Sequence, residues 1–387
     1  MSCRVCQSTC STVYNFGKQP LANDFFYEPD SARKAPLELV MCDTCKTLQL
    51  KNVVPPTSIF SHDYNYKSYA NSPLIQHFDE LAQYVQKEYG VGPENNIIDI
   101  GSNDGSFLAL FKKDYAVGVD PAAQFDPYLT QYATYFNREF AEKYLTEYGF
   151  PKVITALNVF AHVPEIHDFI VAIRSMMSSD TILIIEVQNS DQLIYGAFDQ
   201  IYHEHYFYFD AKTLTNALNQ HDIQVIKYTN FPLINGNTLR VECKTGKQTQ
   251  PLPSDYFDFH YTPDQLMMSI ETGINNVRNI FNDYPILNDC RPLIGVGAPA
   301  KAALMCSQVE ELQQMKYCID TTAEKTGKYI PGTNIKIKFD DGNWSSSTPS
   351  DVFIFSWNYF NNIMQTHDNF KGHNVICPRP PEIIMCM

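Results

Sequence analysis

The stretch 97–105, Ile-Ile-Asp-Ile-Gly-Ser-Asn-Asp-Gly, most narrows what this chain can fold into. A short β-branched run that ends in Gly-x-x-x-Gly and passes into the apolar segment 106–110 predicts a buried parallel strand, a tight turn and a helix. Glycine lets such a turn bend sharply and approach a ligand with no Cβ in the way. A second short strand over 116–120 ends on Asp120, at the offset where an acid accepts ribose hydroxyls in nucleotide-binding α/β units. The dinucleotide fingerprint Gly-x-Gly-x-x-Gly is not met, because Asn103 takes the place of its middle glycine and Asp104 follows. A pyrophosphate fits poorly beside that acid. S-adenosylmethionine carries a ribose, an adenine and two positive charges but no phosphate, so the loop favours the methyl donor over a nicotinamide cofactor. A crossover turn without ligand is the alternative.

Cysteine spacing is the next constraint. Cys3-Arg-Val-Cys6 and Cys42-Asp-Thr-Cys45 are two C-x-x-C pairs, each able to converge two thiolates on one cation. Together they predict a closed, structural zinc site fastening a small N-terminal domain. Cys10 is an alternative ligand, and a redox role lacks the βαβ context it needs. The eleven cysteines are otherwise scattered singletons, which suits a reducing compartment. A formal net charge of −14, with no cluster of Lys and Arg, excludes broad nucleic-acid binding. No apolar run reaches the roughly 18 residues of a membrane span, and the N-terminus has no basic-then-apolar leader, so a cytoplasmic protein with no membrane partner is expected.

A length of 387 residues allows two to three domains. Segment 74–89 has apolar residues at Leu74, Phe78, Leu81 and Val85, the spacing of an amphipathic helix. Further strands are predicted at 133–136, 153–157, 181–187, 224–228 and 238–243, giving a doubly wound α/β sheet with an antiparallel edge hairpin. Ligands in such sheets lie at the carboxyl ends of the strands, where Asn158, His162, Glu186 and Gln188 stand. Before this sheet, segment 61–72 is polar and rich in tyrosine, with Tyr64 and Tyr66 offering hydroxyls to a substrate or packing at an interface.

Tyr202-His203-Glu204-His205-Tyr206 is too dense a polar cluster for a core strand. Imidazole, with an unperturbed pKa of about 6.5, suits general acid/base work near neutrality, with Glu204 to orient it. A metal pair and a structural hydrogen-bond cluster are the alternatives. After a long helix expected over 264–284, the segment Gly295-Val-Gly297-Ala298-Pro-Ala-Lys301 repeats the pattern of strand, glycine turn and helix, with a lysine placed to hold a phosphate. A structural α/β turn is the equal alternative. Segments ending at Asp320 and at Trp357-Asn358 predict further strands at the same edge.

The order of these features resembles the sugar C-methyltransferases, which act on nucleotide-linked 4-keto-6-deoxyhexoses. It runs from paired C-x-x-C knuckles through Tyr-x-Tyr, Asp-Ile-Gly-Ser-Asn-Asp-Gly, Asn158-Val-Phe-Ala-His162, Tyr202-His-Glu-His205 and Gly297-Ala-Pro-Ala-Lys301. The resemblance implies a zinc-binding domain over 1–70, a class I S-adenosylmethionine-dependent methyltransferase domain over 71–247 and a C-terminal Rossmann-like nucleotide-sugar-binding domain over 248–387. By match, Gly101, Asn103, Asp104, Asp120 and Asn158 would line the methyl donor. Tyr202, Glu204, His205 and His162, with Tyr64 or Tyr66, would face the sugar. His205 would be the general base, and Tyr202 or His162 would donate to the developing enolate. Gly297, Ala298, Lys301, Trp357 and Asn358 would lie near the nucleotide diphosphate. His203 stands where related sequences often carry Asp, and Asn235-Gly236-Asn237 departs from the family's His-Gly-Gly.

Overall fold

The computed structural model describes residues 1–60, 64, 66–249, 261–283, 291–342, 348–366 and 370–385. The chain divides into two compact units. The first comprises Met1–Thr12, Val40–Asp191 and Glu204–Tyr261, and the second Val13–Leu39, Gln192–His203 and Thr262–Met387. The expected boundaries near 70 and 247 run along the chain, whereas 13–39 and 192–203 leave their sequence neighbours and join the C-terminal unit.

Strands β1 (Cys10–Pro20), β2 (Lys34–Cys42) and β3 (Leu48–Leu50) open the chain, followed by α1 (Ser72–Tyr89), β4 (Ile97–Ile100), β5 (Ala116–Val119), β6 (Thr130–Tyr132) and α2 (Arg138–Tyr148). Then come β7 (Val153–Leu157), α3 (Ile166–Ser175), β8 (Ile182–Gln188), β9 (Phe207–Tyr208), α4 (Ala211–Asn219), β10 (Ile223–Phe231) and β11 (Thr238–Thr245). The main sheet of the first unit has the order β10-β11-β8-β7-β4-β5-β6. Its strands β8 to β6 in that order are parallel, and β11 and β10 add an antiparallel edge hairpin. Buried on both faces, β4 reads as an apolar run interrupted only by Asp99.

One face of this sheet takes α1. Asn71 caps the helix by accepting from the Leu74 N–H, and Gly90 ends it in the left-handed region at φ 67°. Leu74, Phe78, Leu81 and Val85 pack on Ile97, Ala116, Val153 and Ile184, each contributing about 1.5–3 kcal/mol by leaving water. The other face takes α2, α3 and α4 through Phe140, Ile170 and Leu214 against Ile98, Val117 and Ile154. Val5 and Cys42 join that second core, tying the N-terminal knuckles to it.

Two local expectations are corrected. The strand expected over 133–136 lies earlier, at β6, where Tyr132 pairs with Val119. Phe136 instead packs on Phe140 and Phe169, and Asn137 caps α2. The segment after Gly105 forms only a single 3-10 turn, Leu108–Leu110, because the chain must re-enter the sheet at Ala116.

The second unit contains α5 (Pro263–Asp283), β12 (Leu293–Val296), α6 (Lys301–Gln308), β13 (Tyr317–Asp320), β14 (Ile337–Phe339), β15 (Asp351–Ile354), α7 (Phe360–Thr366), β16 (Asn374–Pro378) and β17 (Pro381–Met385). The long helix expected over 264–284 is α5, with its last expected residue, Tyr284, outside the described residues. The sheet order is β14-β13-β12-β15-β16-β17, all parallel except the final hairpin. The strand order reverses between β12 and β15, the crevice where open α/β sheets bind ligands. Among the described residues no helix is long and apolar enough to cross a membrane.

Candidate functional site

The four knuckle cysteines converge. Their ligand atoms lie within 4.8 Å of one another, with Cys3 Sγ 3.6 Å from Cys45 Sγ and Cys6 Sγ 3.3 Å from Cys42 Sγ. Zinc–sulfur bonds of about 2.3 Å need sulfurs about 3.8 Å apart in a tetrahedron, so the set fits zinc with no open position. The two knuckles repeat one geometry. Cys3 N–H donates to Ser8 O and Gln7 N–H back to Cys3 O, while Cys42 N–H donates to Thr47 O and Lys46 N–H back to Cys42 O. Gln7 and Lys46 both sit at φ 64°. Donors aim at the sulfurs, from Val5 N and Gln49 Nε2 to Cys3 and from Cys45 N to Cys42, as a thiolate set requires. Cys10 stands outside the set, and burial pushes its thiol up to about 12, so it is the bystander of the two possibilities.

The glycine turn after β4 is held by its acid. Asp120 accepts from Asn103 N at 3.0 Å through Oδ2 and from Ala122 N at 2.6 Å through Oδ1. Burial raises its carboxyl above the ordinary range, and those two N–H groups offset only part of the rise. Asn103 and Asp104 have side chains engaged by the tyrosine segment: Asn103 Nδ2 donates to Tyr66 O at 3.3 Å, and Asp104 Oδ2 accepts from Tyr69 N at 3.0 Å. Asn158 follows β7 at φ 59° with its N–H on the Glu186 carbonyl, and its buried Oδ1 meets no donor. The backbone of this edge, Asp120 and Asn158 are the groups a ribose and a methionine moiety would meet. Asp99, in the middle of β4, is a buried carboxyl that sequence reasoning passed over. Burial pushes it up to about 7, against a hydrogen bond from Thr155 Oγ1 at 2.7 Å.

The acid/base group of the first unit gathers Tyr64, Tyr66, His162, Glu204 and His205. Tyr64 donates its hydroxyl to Glu204 Oε2 at 2.7 Å, and its ring lies 6.5 Å from that of Tyr66. The His162 and His205 rings meet edge-on at 4.8 Å, with Phe60 against His162 at 5.4 Å. His162 Nδ1 lies 2.8 Å from the Glu204 carbonyl, which can only accept, so this nitrogen carries the proton. Burial holds His162 down to about 4, so it is neutral at pH 7 and presents Nε2 as an acceptor. In this tautomer Nε2 accepts, whereas the sequence expectation has His162 donating to an enolate. Glu204 and His205 are both buried.

Tyr202 and His203 belong by contacts to the second unit. His203 donates Nε2–H to Ala35 O at 3.0 Å, and burial lowers its pKa. Glu186, expected at a strand end, is paired inside the fold. It accepts from Arg240 Nε at 2.6 Å and lies 2.9 Å from His77 Nε2, leaving Oε2 without a donor. His77 and Arg240 carried no signal beyond being polar residues in apolar elements.

In the second unit the turn after β12 places Gly297 and Ala298 at the switch point. Ala298 N–H is engaged by Asp320 Oδ2 at 2.6 Å rather than pointing to a ligand. Lys301, the first residue of α6, donates to Asn358 Oδ1 at 2.5 Å and stands 4.1 Å over the Trp357 ring. Trp357 donates its indole N–H to Asp199 Oδ2 at 2.7 Å. Lys301, Trp357 and Asn358 are thus together, while Gly297 and Ala298 serve the turn.

Three family models match the chain: a zinc binding domain over 3–60, a methyltransferase domain over 66–228 and a C-methyltransferase C-terminal domain over 285–380. The C-methyltransferase NovU of Streptomyces niveus is 26% identical over 415 residues, covering 99% of this chain and 96% of the relative. Among solved structures, the magnesium protoporphyrin IX methyltransferase of Synechocystis PCC 6803 with bound SAH is 12% identical at a TM-score of 0.33, covering 45% of this chain and 84% of that one. A SAM-dependent methyltransferase from Anabaena variabilis is 12% identical at 0.33, covering 49% and 88%. The three models follow one another along the chain in the order of the knuckles, the first glycine turn and the second. The chain belongs to the S-adenosylmethionine-dependent C-methyltransferases that carry a zinc-binding domain before the methyltransferase domain and a C-methyltransferase C-terminal domain after it.

Proposed function

We propose that the methyl acceptor is the ring carbon beside the ketone of a nucleotide-linked 4-keto-6-deoxysugar, methylated as a small molecule in the cytoplasm during deoxysugar biosynthesis. The observation that carries this reading is the tyrosine segment, pinned by Asn103 to the glycine turn through Tyr66 O and joined through Tyr64 to Glu204. An acid/base group is thereby fastened to the donor's loop. S-adenosylmethionine, when bound, supplies an electrophilic methyl group on a sulfonium. His205 takes the proton from the carbon alpha to the ketone, and the C–H electron pair passes toward the ketone oxygen. Glu204, aimed by the Tyr64 hydroxyl, holds the charge that His205 gains, and neutral His162 packs against the same ring. Holding donor and acceptor in register is worth on the order of 7–11 kcal/mol, the reason for a closed cluster rather than a single base.

The test is a mass-spectrometric methyl-transfer assay with dTDP-, GDP-, UDP- and CDP-linked 4-keto-6-deoxyhexoses, run beside His205→Ala. One CH2 gained by wild type and not by the variant is the expected result, together with solvent deuterium entering the alpha carbon. Methylation without exchange in wild type would move the reading to an O- or N-acceptor, and no methylated sugar at all would remove the sugar.

A further inference from the structure

Gln49 lies in the middle of β3 with no exposed surface, a polar side chain in an otherwise apolar strand. Its partners fix which end of the amide is which. Oε1 accepts from the Arg4 backbone N–H at 3.1 Å and from the Arg4 guanidinium at 3.2 Å, both of which can only donate. Nε2 is therefore the end that meets sulfur, Cys3 Sγ at 3.2 Å and Cys10 Sγ at 3.6 Å. Arg4 carries the link onward, its guanidinium donating to Leu50 O at 2.7 Å and to Lys51 O at 3.3 Å. One buried amide and one guanidinium thus clamp the first cysteine knuckle to β3.

Beside β3 lies the acid/base segment. Strand β9 begins two residues after His205 and pairs with β3 antiparallel, Gln49 opposite Phe207 and Leu48 opposite Tyr208. Leu50 N–H donates to Tyr206 O at 3.0 Å, Tyr206 N–H to Ala161 O at 2.7 Å, and the Tyr206 hydroxyl to Val54 O at 2.6 Å. Tyr206, fully buried, is tied at three points, one of them the residue before His162. The His205 ring lies 4.8 Å from that of His162 and 5.9 Å from that of Tyr208. A strand of three residues offers few ladder bonds, so its place depends on what grips its side chains.

We propose that Gln49 and Arg4 are positioning residues for methyl transfer, holding the Glu204–His205 segment in register through the Cys3 knuckle. With Cys3 committed to zinc, the sulfur that the Gln49 amide grips is a fixed point, and the knuckle fastens the base as well as its own small domain. The hold follows from the bonds to Leu50 and Tyr206; its service to catalysis rests on the preceding reading of His205 as the base. A misplacement of about 1 Å can cost on the order of 100-fold in rate, so a loosened register is read in kcat rather than in donor binding.

The test uses the zinc-loaded full chain, with Arg4→Ala, Arg4→Lys and Gln49→Leu read beside wild type and His205→Ala. Hydrogen exchange of segment 204–209, followed by mass spectrometry, reports the hold without any acceptor. Exchange there should rise about tenfold in Arg4→Ala and Gln49→Leu, with zinc content and S-adenosylmethionine affinity unchanged. With the methylated acceptor, kcat should fall about tenfold at unchanged KM, and Arg4→Lys, which still reaches one carbonyl, should recover part of both losses. Arg4 touches no sulfur, so Arg4→Ala decides the matter if Gln49→Leu sheds zinc. Wild-type exchange over 204–209 in Arg4→Ala would overturn the hold, even where His205→Ala is inactive. Faster exchange with wild-type kcat would reduce the clamp to a structural one and overturn its part in catalysis. Faster exchange and lowered kcat beside a fully active His205→Ala would sustain the hold and sink the base.

Discussion

The two glycine turns of this chain are built alike and differ at one group. After β4, Gly101 donates its N–H to Val119 O at 2.8 Å; after β12, Gly297 donates to Ile319 O at 2.8 Å. Asp120 and Asp320, each following the next strand's last apolar residue, accept a turn N–H through Oδ2 and the N–H two residues on through Oδ1. At Asp320 a lysine arrives as well, Lys325 Nζ at 3.3 Å. At Asp120 no described cation comes within ion-pair distance, and Lys67 acts only from farther away. Burial pushes both carboxyls up, but at Asp320 the lysine and the backbone donors reverse the shift and hold it low, whereas Asp120 stays raised. A strand, a glycine turn and an acid therefore mark a polar edge, and the counter-charge tells whether that edge is completed from inside the fold or from outside it.

The comparison breaks most visibly at the buried pair. Asp320→Asn leaves the Lys325 ammonium buried without its partner, and a loss of about 3 kcal/mol is expected at neutral pH in thermal or denaturant unfolding. Adding Lys325→Met should recover most of it, since removing both charges removes the desolvation penalty. S-adenosylmethionine affinity should stay unchanged in both variants; a wild-type melting curve for Asp320→Asn would show that the lysine does not complete this edge. Gly101→Ala comes next, at about 2 kcal/mol, because φ is +75° and a Cβ would meet Val159 Cγ2 at 2.2 Å. Gly297→Ala, at φ +76°, meets the rotatable Ser356 Oγ at 2.5 Å and should cost less. Asp120→Asn should weaken S-adenosylmethionine by about tenfold, near 1.4 kcal/mol in calorimetric titration. Unchanged donor affinity would mean that Asp120 only shapes its turn.

Much of this was legible locally. Strand β7 falls on 153–157 as its β-branched run predicts, and α1 follows the spacing of its apolar stripe. Spacing alone brought four cysteines to one point. What could not be read were partners far apart in sequence. The proton on His162 is fixed by the backbone carbonyl of Glu204, a group every residue has, so nothing at position 162 announces the tautomer. His77, Glu186 and Arg240 come from three elements and meet only when the β8–β11 register pairs Glu186 with Arg240. Lys325 carries no motif that ties it to Asp320, and Gln7 and Lys46 give no sign of a left-handed conformation, a task more often left to Gly or Asn. The knuckles impose it through the bonds back to Cys3 and Cys42.

The smallest effect is also the sharpest, because the two acids should respond to pH with opposite sign. Asp320 has a lowered folded pKa, so its contribution is present above the unfolded value of about 3.9 and is lost as pH falls through the folded one. Asp120 has a raised folded pKa, so its contribution is present below about 3.9 and is lost as pH rises through the folded value. With ligand-free protein, the stability gap between wild type and Asp320→Asn should therefore be widest at pH 7 and close as the medium is acidified. Asp120→Asn should run the other way, gaining on wild type as pH rises from 4 toward 7, because it removes a carboxylate that the fold buries without a cation. Denaturant midpoints across that range are sufficient, with both variants read against the same wild-type curve. Parallel slopes for the two variants would mean that the acids have equivalent surroundings and that Lys325 does not distinguish the turns. Opposed slopes would mark Asp120 as the carboxylate that no cation of the fold completes, as an acid that accepts the ribose hydroxyls of a bound methyl donor would be.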